Sequence, residues 1–243
     1  MYIIKLDAID STNAYLKAMA SVNLPKDFTV VVADKQTDGR GQMGSTWISD
    51  SGKNLTASVF KELSGFDVEK QYFISMCIAL AIHSALERFK IPKLSIKWPN
   101  DILSADKKIC GILIENVIKN NKLQGSVIGF GINVNQIQFD NLPKASSLKQ
   151  ITGNTYNKEE LLSAILKEIP MYFEALESQK FDDIKREYES LLFRMEKPST
   201  FKLQNNQVFS GIIKGVDHTG KLKVWTENDI IKAFNLKEVS LLY

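Results

Sequence analysis

Two hydrophobic rhythms take turns along this chain: an alternation that suits strands, and a recurrence every three to four positions that suits helices. Residues 1–6 read as a short strand, and Asp10-Ser11-Thr12-Asn13 is a run of helix-capping side chains. Ala14, Tyr15, Leu16, Ala18, Met19 and Ala20 then place an apolar stripe on a helix. The β-branched and apolar runs at residues 28–33 and 55–60 predict buried strands, with a glycine-rich loop between them. Over residues 69–90, Phe73, Cys77, Leu80, Ala81 and Leu86 recur at helical spacing, which predicts a long buried helix backing a sheet.

Three more strands are expected at residues 94–98, 108–117 and 126–133, separated by segments rich in Asn, Asp, Lys and Gly. The connections are short, which favours a mixed or antiparallel sheet over a parallel one. Residues 158–177 and 181–193 predict two helices covering one sheet face, with Pro170 expected to bend or break the first. After Glu196-Lys197-Pro198 the pattern shortens into strand-like pieces at 200–203, 208–216, 222–225, 230–234 and 239–242, with turns at Asn205-Asn206 and His218-Thr219-Gly220. The reading is α+β: a larger unit of mixed or antiparallel sheet flanked by helices over residues 1–195, and a small SH3-like barrel over 196–243.

Composition narrows the chemistry. A chain of 243 residues with 44% hydrophobic positions buries a sizeable core, and a net charge of +3 is too mild to mark a nucleic-acid binder. Cys77 and Cys110, with His83 and His218, give no zinc spacing, and two lone thiols suit a reducing cytoplasm. Lys5, Asp7 and Asp10 interrupt the first apolar stretch, so neither secretion nor membrane insertion is expected.

Gly39-Arg40-Gly41-Gln42-Met43-Gly44 has the spacing G-x-G-x-x-G after a strand. A dinucleotide fold needs a helix directly after these glycines, and Ser49-Asp50-Ser51-Gly52 leaves no room for one before the next strand. What remains is a loop whose backbone amides can approach phosphate, with Arg40 adding charge, or a simple solvated turn. Lys97-Trp98-Pro99-Asn100-Asp101 places a cation and polar side chains at a strand end, a common position for ligand contacts. Trp98, one residue after Lys97, points to the opposite sheet face and reads as structural.

Taken in order, Ser11-Thr12-Asn13, Gln36, Gly39-Arg40-Gly41, Trp47, Lys97-Trp98-Pro99-Asn100-Asp101, Cys110-Gly111-Ile112-Leu113-Ile114-Glu115 and Gly129-Phe130-Gly131-Ile132-Asn133 resemble the biotin–protein ligases. That resemblance implies a class II synthetase-like catalytic domain that activates biotin with ATP and Mg²⁺ as biotinyl-5′-AMP. The biotin then passes to a lysine of a biotin carboxyl carrier protein. It implies biotin contacts at Ser11, Thr12, Asn13, Gln36, Gly39, Arg40, Gly41, Gln42, Lys97 and Gly111, although Ser11 to Asn13 also read as helix caps. Arg40, Gly41, Gln42, Trp47, Asn100 and Asn133 are the implied nucleotide contacts, with Trp47 equally readable as a core residue. Arg40 and Lys97 are the expected catalytic cations, because a carboxylate and a phosphate must meet. Asn100, Asp101 and Asn133 stand near any Mg²⁺, without one being assignable as its ligand.

Many members carry a second basic residue where this chain has Gln42, so weaker adenylate retention is expected. The motifs begin at Ser11, which leaves no room for the DNA-binding domain of some relatives, and no operator binding is expected. The oligomeric state stays open, a homodimer included. A lipoate or octanoate ligase of the same fold, or a non-catalytic biotin-binding module, are the rival readings; the Ser11-Thr12-Asn13 cluster and the charges of Arg40 and Lys97 speak against them.

Overall fold

The protein's structure, a computed structural model, describes residues 1–119 and 122–243. Strand β1 (Tyr2–Ile9) runs parallel to β2 (Thr29–Gln36), the two joined by helix α1 (Thr12–Val22). All other pairings are antiparallel: β2 with β3 (Leu55–Glu62), then β7 (Lys122–Ile132), β6 (Lys107–Lys119), β5 (Asp101–Ser104) and β4 (Leu94–Lys97). The result is a mixed seven-stranded sheet of order β1-β2-β3-β7-β6-β5-β4, as the short connections predicted. Only β5 escaped the sequence reading, because its four residues sit inside a segment dense in Asn, Asp and Lys.

Alternation along the strands gives the sheet two different faces. Val31, Phe60 and Val127 point to one side and meet Leu16 and Ala20 of α1. Val30, Ala57, Val59, Ile112 and Ile128 point to the other and join the main core, which includes α2 (Tyr72–Arg88). Beyond a short α3 (Leu148–Thr152), α4 (Lys158–Glu177) and α5 (Phe181–Ser190) pack against α2. The expected break at Pro170 does not occur, and α4 runs unbroken through it. Ile165, Ile169 and Phe173 on its buried side hold the turn that lacks the proline's N–H.

The C-terminal strands are β8 (Pro198–Leu203), β9 (Val208–Val216), β10 (Leu222–Thr226), β11 (Ile231–Phe234) and β12 (Val239–Leu242). They form one antiparallel sheet of order β11-β10-β9-β8-β12. Its two edges, β11 and β12, are only four residues long, and the pairing does not close into the expected barrel. Phe201, Val216, Leu222 and Val224 belong to the same buried cluster as α2. The Trp98 indole N–H donates to Gly220 O at 2.9 Å, and Val216 N donates to the Glu189 carboxylate at 2.8 Å. Trp98 thus ties the two sheets together. Among the described residues, no helix is long and apolar enough to cross a membrane.

Candidate active site

The α1 face of the sheet carries a cavity at the helix N-terminus, and small residues make the space for it. Ser11 caps α1 by accepting from Ala14 N at 3.4 Å. Thr12 and Asn13, equally buried, do something else. Thr12 donates to Gln36 Oε1 through its backbone N–H at 2.9 Å and its hydroxyl at 3.1 Å. Asn13 Nδ2 donates to the Glu115 carboxylate at 2.9 Å and to Leu113 O at 3.2 Å, while Ser58 reaches Asn13 Oδ1 at 2.6 Å. Capping therefore accounts for Ser11 alone, and the other two bind helix α1 to β2, β3 and β6.

Gly129 and Gly131 on β7, with Gly111 on β6, form a floor without side chains. A Cβ at Gly129 would stand 2.2 Å from Asn13 Oδ1, and one at Gly131 would stand 2.4 Å from Trp47 Cε2. The Trp47 ring thus lies against the sheet rather than in a separate core. Its indole N–H is buried and has no partner among the described residues. Lys108 Nζ stands 5.6 Å from the centre of that ring and pairs with Asp101 at 2.7 Å.

Between β2 and β3 the glycine-rich loop holds only a short 3₁₀ turn at Gln42–Gly44, with no α-helix before β3. This agrees with the rejection of a dinucleotide fold. A Cβ on Gly39 would come within 2.3 Å of Trp47 O, so only glycine fits where the two loop arms close. Arg40 lines the cavity from this loop and is held by Asp38 at 3.1 Å in an exposed ion pair. Such a pair is weak in water, so the guanidinium can turn to an anionic ligand at little cost.

Ser11, Thr12, Asn13, Gln36, Arg40, Gly41, Gln42, Trp47, Asn100 and Gly111 all line this one cavity. Three expected residues do not: Gly39, packed against Trp47 O where the loop closes, Asn133 and Lys97. Asn133 is buried beyond it, its amide donating to Ser146 O at 3.0 Å and clamping the segment after β7. Lys97 lines an adjoining cavity with Trp98, Phe193 and Lys237, and Gln42, Asn100 and Asp101 border both spaces. Burial draws the Lys97 pKa below its usual value; Asp101 opposes this, and repulsion from Lys108 and Lys144 adds to it.

The lysine that lines the first cavity is Lys108, which the sequence reading passed over. A regular β6 would turn Lys108 to the same face as Cys110 and Ile112, into the core. The pairing instead shifts: Ile102 opposes Cys110, and Leu103 opposes Lys108, so Ile109 is an extra residue. Both Ile109 and Cys110 are fully buried in the core cluster. This bulge re-aims Lys108 to the face of Gly111.

Residues 6–133 match the family model described as the biotin/lipoate A/B protein ligase family. The bifunctional ligase/repressor BirA of Bacillus spizizenii is 31% identical over 239 residues, covering 96% of this chain and 72% of that protein. The biotin–[acetyl-CoA-carboxylase] ligase of Paracoccus denitrificans is 27% identical over 88% of this chain and 90% of its own length. In three dimensions, the Aquifex aeolicus biotin protein ligase solved with biotin and ATP has a TM-score of 0.82 and 29% identity. It covers 99% of this chain, and 98% of that structure is covered in return. With its sequence matched over residues 6–133 and its fold alike over nearly the whole length, this chain belongs to the biotin/lipoate A/B protein ligase family.

Proposed function

We propose that this chain is a biotin–protein ligase that makes biotinyl-5′-AMP from biotin and ATP and transfers the biotin to a carrier lysine. One observation carries the reading: two cations from separate segments, Arg40 and Lys108, line the same cavity as the polar cluster Ser11, Thr12, Asn13 and Gln36. A cyclic urea needs the polar cluster, and a carboxylate attacking an α-phosphate needs the cations.

In the first half-reaction the biotin carboxylate attacks the α-phosphorus and pyrophosphate leaves. Lys108, a compact charge on the glycine floor, would offset the repulsion between carboxylate and phosphate, and Arg40 would grip phosphate oxygens with its planar fork. Lys97, in the adjoining cavity with Lys237, would face the polyphosphate. Trp47, already lining the cavity, would cover the adenylate. In the second half-reaction the amine of the carrier lysine attacks the acyl carbon and AMP leaves.

Among the described residues no three His, Cys, Asp or Glu side chains gather as a metal site. Asp101, which borders both cavities, is already paired with Lys108. Mg²⁺ would therefore arrive as the ATP complex, held by phosphate oxygens and water, where it neutralises triphosphate charge.

We read residues 1–195 as the catalytic unit and 196–243 as an SH3-like appendage suited to the carrier. The protein acts in the cytoplasm, where Cys77 and Cys110, both free and buried, stay reduced. With a net charge of +3 the chain is expected not to retain operator DNA. Gln42 lines the cavity where a second cation would hold the adenylate, so Gln42→Arg is expected to slow biotinyl-5′-AMP release by roughly tenfold. Dissociation of radiolabelled adenylate measures it.

Mass spectrometry of a biotin carrier domain incubated with the chain, ATP, Mg²⁺ and either biotin or lipoate tests the whole reading. The biotin mass increment is expected on one lysine. A lipoyl increment instead would make the chain a lipoate ligase, and no increment with tight biotin binding would make it a binding module.

A further inference from the structure

Two residues behind the cavity wall hydrogen-bond the polar side chains that line it. Ser58 is fully buried on β3, and Glu115 on β6 pairs with Lys17 of α1 at 2.6 Å; neither lines the cavity. A carboxylate only accepts, so Glu115, together with Leu113 O, obliges Asn13 to turn its Nδ2 outward and its Oδ1 inward to Ser58. The Thr12 backbone N–H likewise obliges Gln36 to present its oxygen.

What results is a row of four oxygens, Gln36 Oε1, Thr12 Oγ1, Ser58 Oγ and Asn13 Oδ1, in contact at 3.1, 2.7 and 2.6 Å. Three contacts are served by only two hydroxyl hydrogens, because both ends are carbonyl oxygens. The row is one hydrogen short and therefore rich in acceptor lone pairs, which a ligand N–H donating to its cavity-facing oxygens offsets. Were Asn13 free to flip, its NH₂ would fill the gap and that preference would vanish.

We propose that the chain Lys17–Glu115–Asn13–Ser58–Thr12–Gln36 sets the hydrogen-bond polarity of the cavity, with Glu115 and Ser58 as positioning residues that select a head group bearing N–H donors. This rests on the biotin reading, whose ureido ring carries two such donors. Lipoate, with a disulfide ring, carries none.

The test is biotin-dependent ATP–pyrophosphate exchange by wild type, Glu115→Gln and Ser58→Ala, using biotin and biotin methylated on a ureido nitrogen. Glu115→Gln is isosteric and Ser58→Ala removes one oxygen, and a thermal melt checks that each is folded. In both variants the KM for biotin is expected to rise roughly tenfold, the loss of one hydrogen bond, with kcat little changed. The preference for biotin over its methylated analogue is expected to fall by a similar factor, which a purely structural role would not cause. Folded variants that keep both the wild-type KM and the wild-type preference overturn the relay while leaving the ligase reading intact. Wild-type chain without any biotin-dependent exchange overturns the ligase reading, and the relay with it.

Discussion

Lys108→Met is expected to lower biotin-dependent ATP–pyrophosphate exchange about a hundredfold or more, chiefly in kcat, the usual effect of removing one fixed charge from a developing anionic centre. Lys97→Met is expected to cost about tenfold or less, through weaker ATP binding, because a charge at the polyphosphate contributes to ground-state binding as well. The contrast follows from placement. Lys108 stands beside Gly111 and Trp47 in the cavity shared with Arg40, whereas Lys97 opens to the neighbouring one. Steady-state exchange with separately varied biotin and ATP resolves the two, and the reverse ranking would return the catalytic role to Lys97.

A single methyl group on the cavity floor is expected to damage biotin binding nearly as much. In Gly129→Ala the new Cβ would lie 2.2 Å from Asn13 Oδ1, far inside contact distance. Asn13 cannot step aside freely, since Glu115, Leu113 and Ser58 all hold its amide and the residue is only 3% exposed. Overpacking of this kind costs about 1–3 kcal/mol of stability. Displacing the amide would leave buried polar groups unpaired, so biotin affinity should fall roughly tenfold to a hundredfold. Calorimetric titration with biotin reads the second effect and a thermal melt the first. An alanine variant that binds biotin as tightly as wild type would mean that the head group does not sit against Asn13.

Much of this was legible beforehand, because strong periodicity survives folding. The buried helix expected over residues 69–90 is α2, and Thr12, Gln36 and Gly111, singled out in separate segments of the sequence, line one cavity. What could not be read was whatever depends on an interruption of period. Lys108 looks like half of an exposed lysine pair at a strand start, and only the bulge at Ile109 turns it to the ligand side. Lys97, singled out by its motif, ends the edge strand β4 and lines the adjoining cavity, its Nζ 3.8 Å from the Asp101 that borders both spaces. Asn133 follows two glycines that do shape the floor, and strict alternation would put it on their face, but β7 ends at Ile132 and the Asn133 amide goes to Ser146 instead. Ser58, and the role proposed for Glu115 within its motif, were not readable for a different reason. Their work is done on other side chains, and a sequence does not show which partners lie behind a wall. Pro170 was overrated, since packing of Ile169 and Phe173 outweighs one missing hydrogen bond.

The central claim is that biotin and the α-phosphate meet between Arg40 and Lys108 with the ureido ring at the start of α1. A crystal structure of the chain with biotinyl-5′-AMP tests it most directly. The expected result has the ureido ring within hydrogen-bond reach of the Ser11 to Asn13 cluster, and the acyl phosphate contacted by both Lys108 and Arg40. An adenylate bound with those two side chains turned to bulk water, or lodged wholly in the cavity of Lys97 and Lys237, would contradict it.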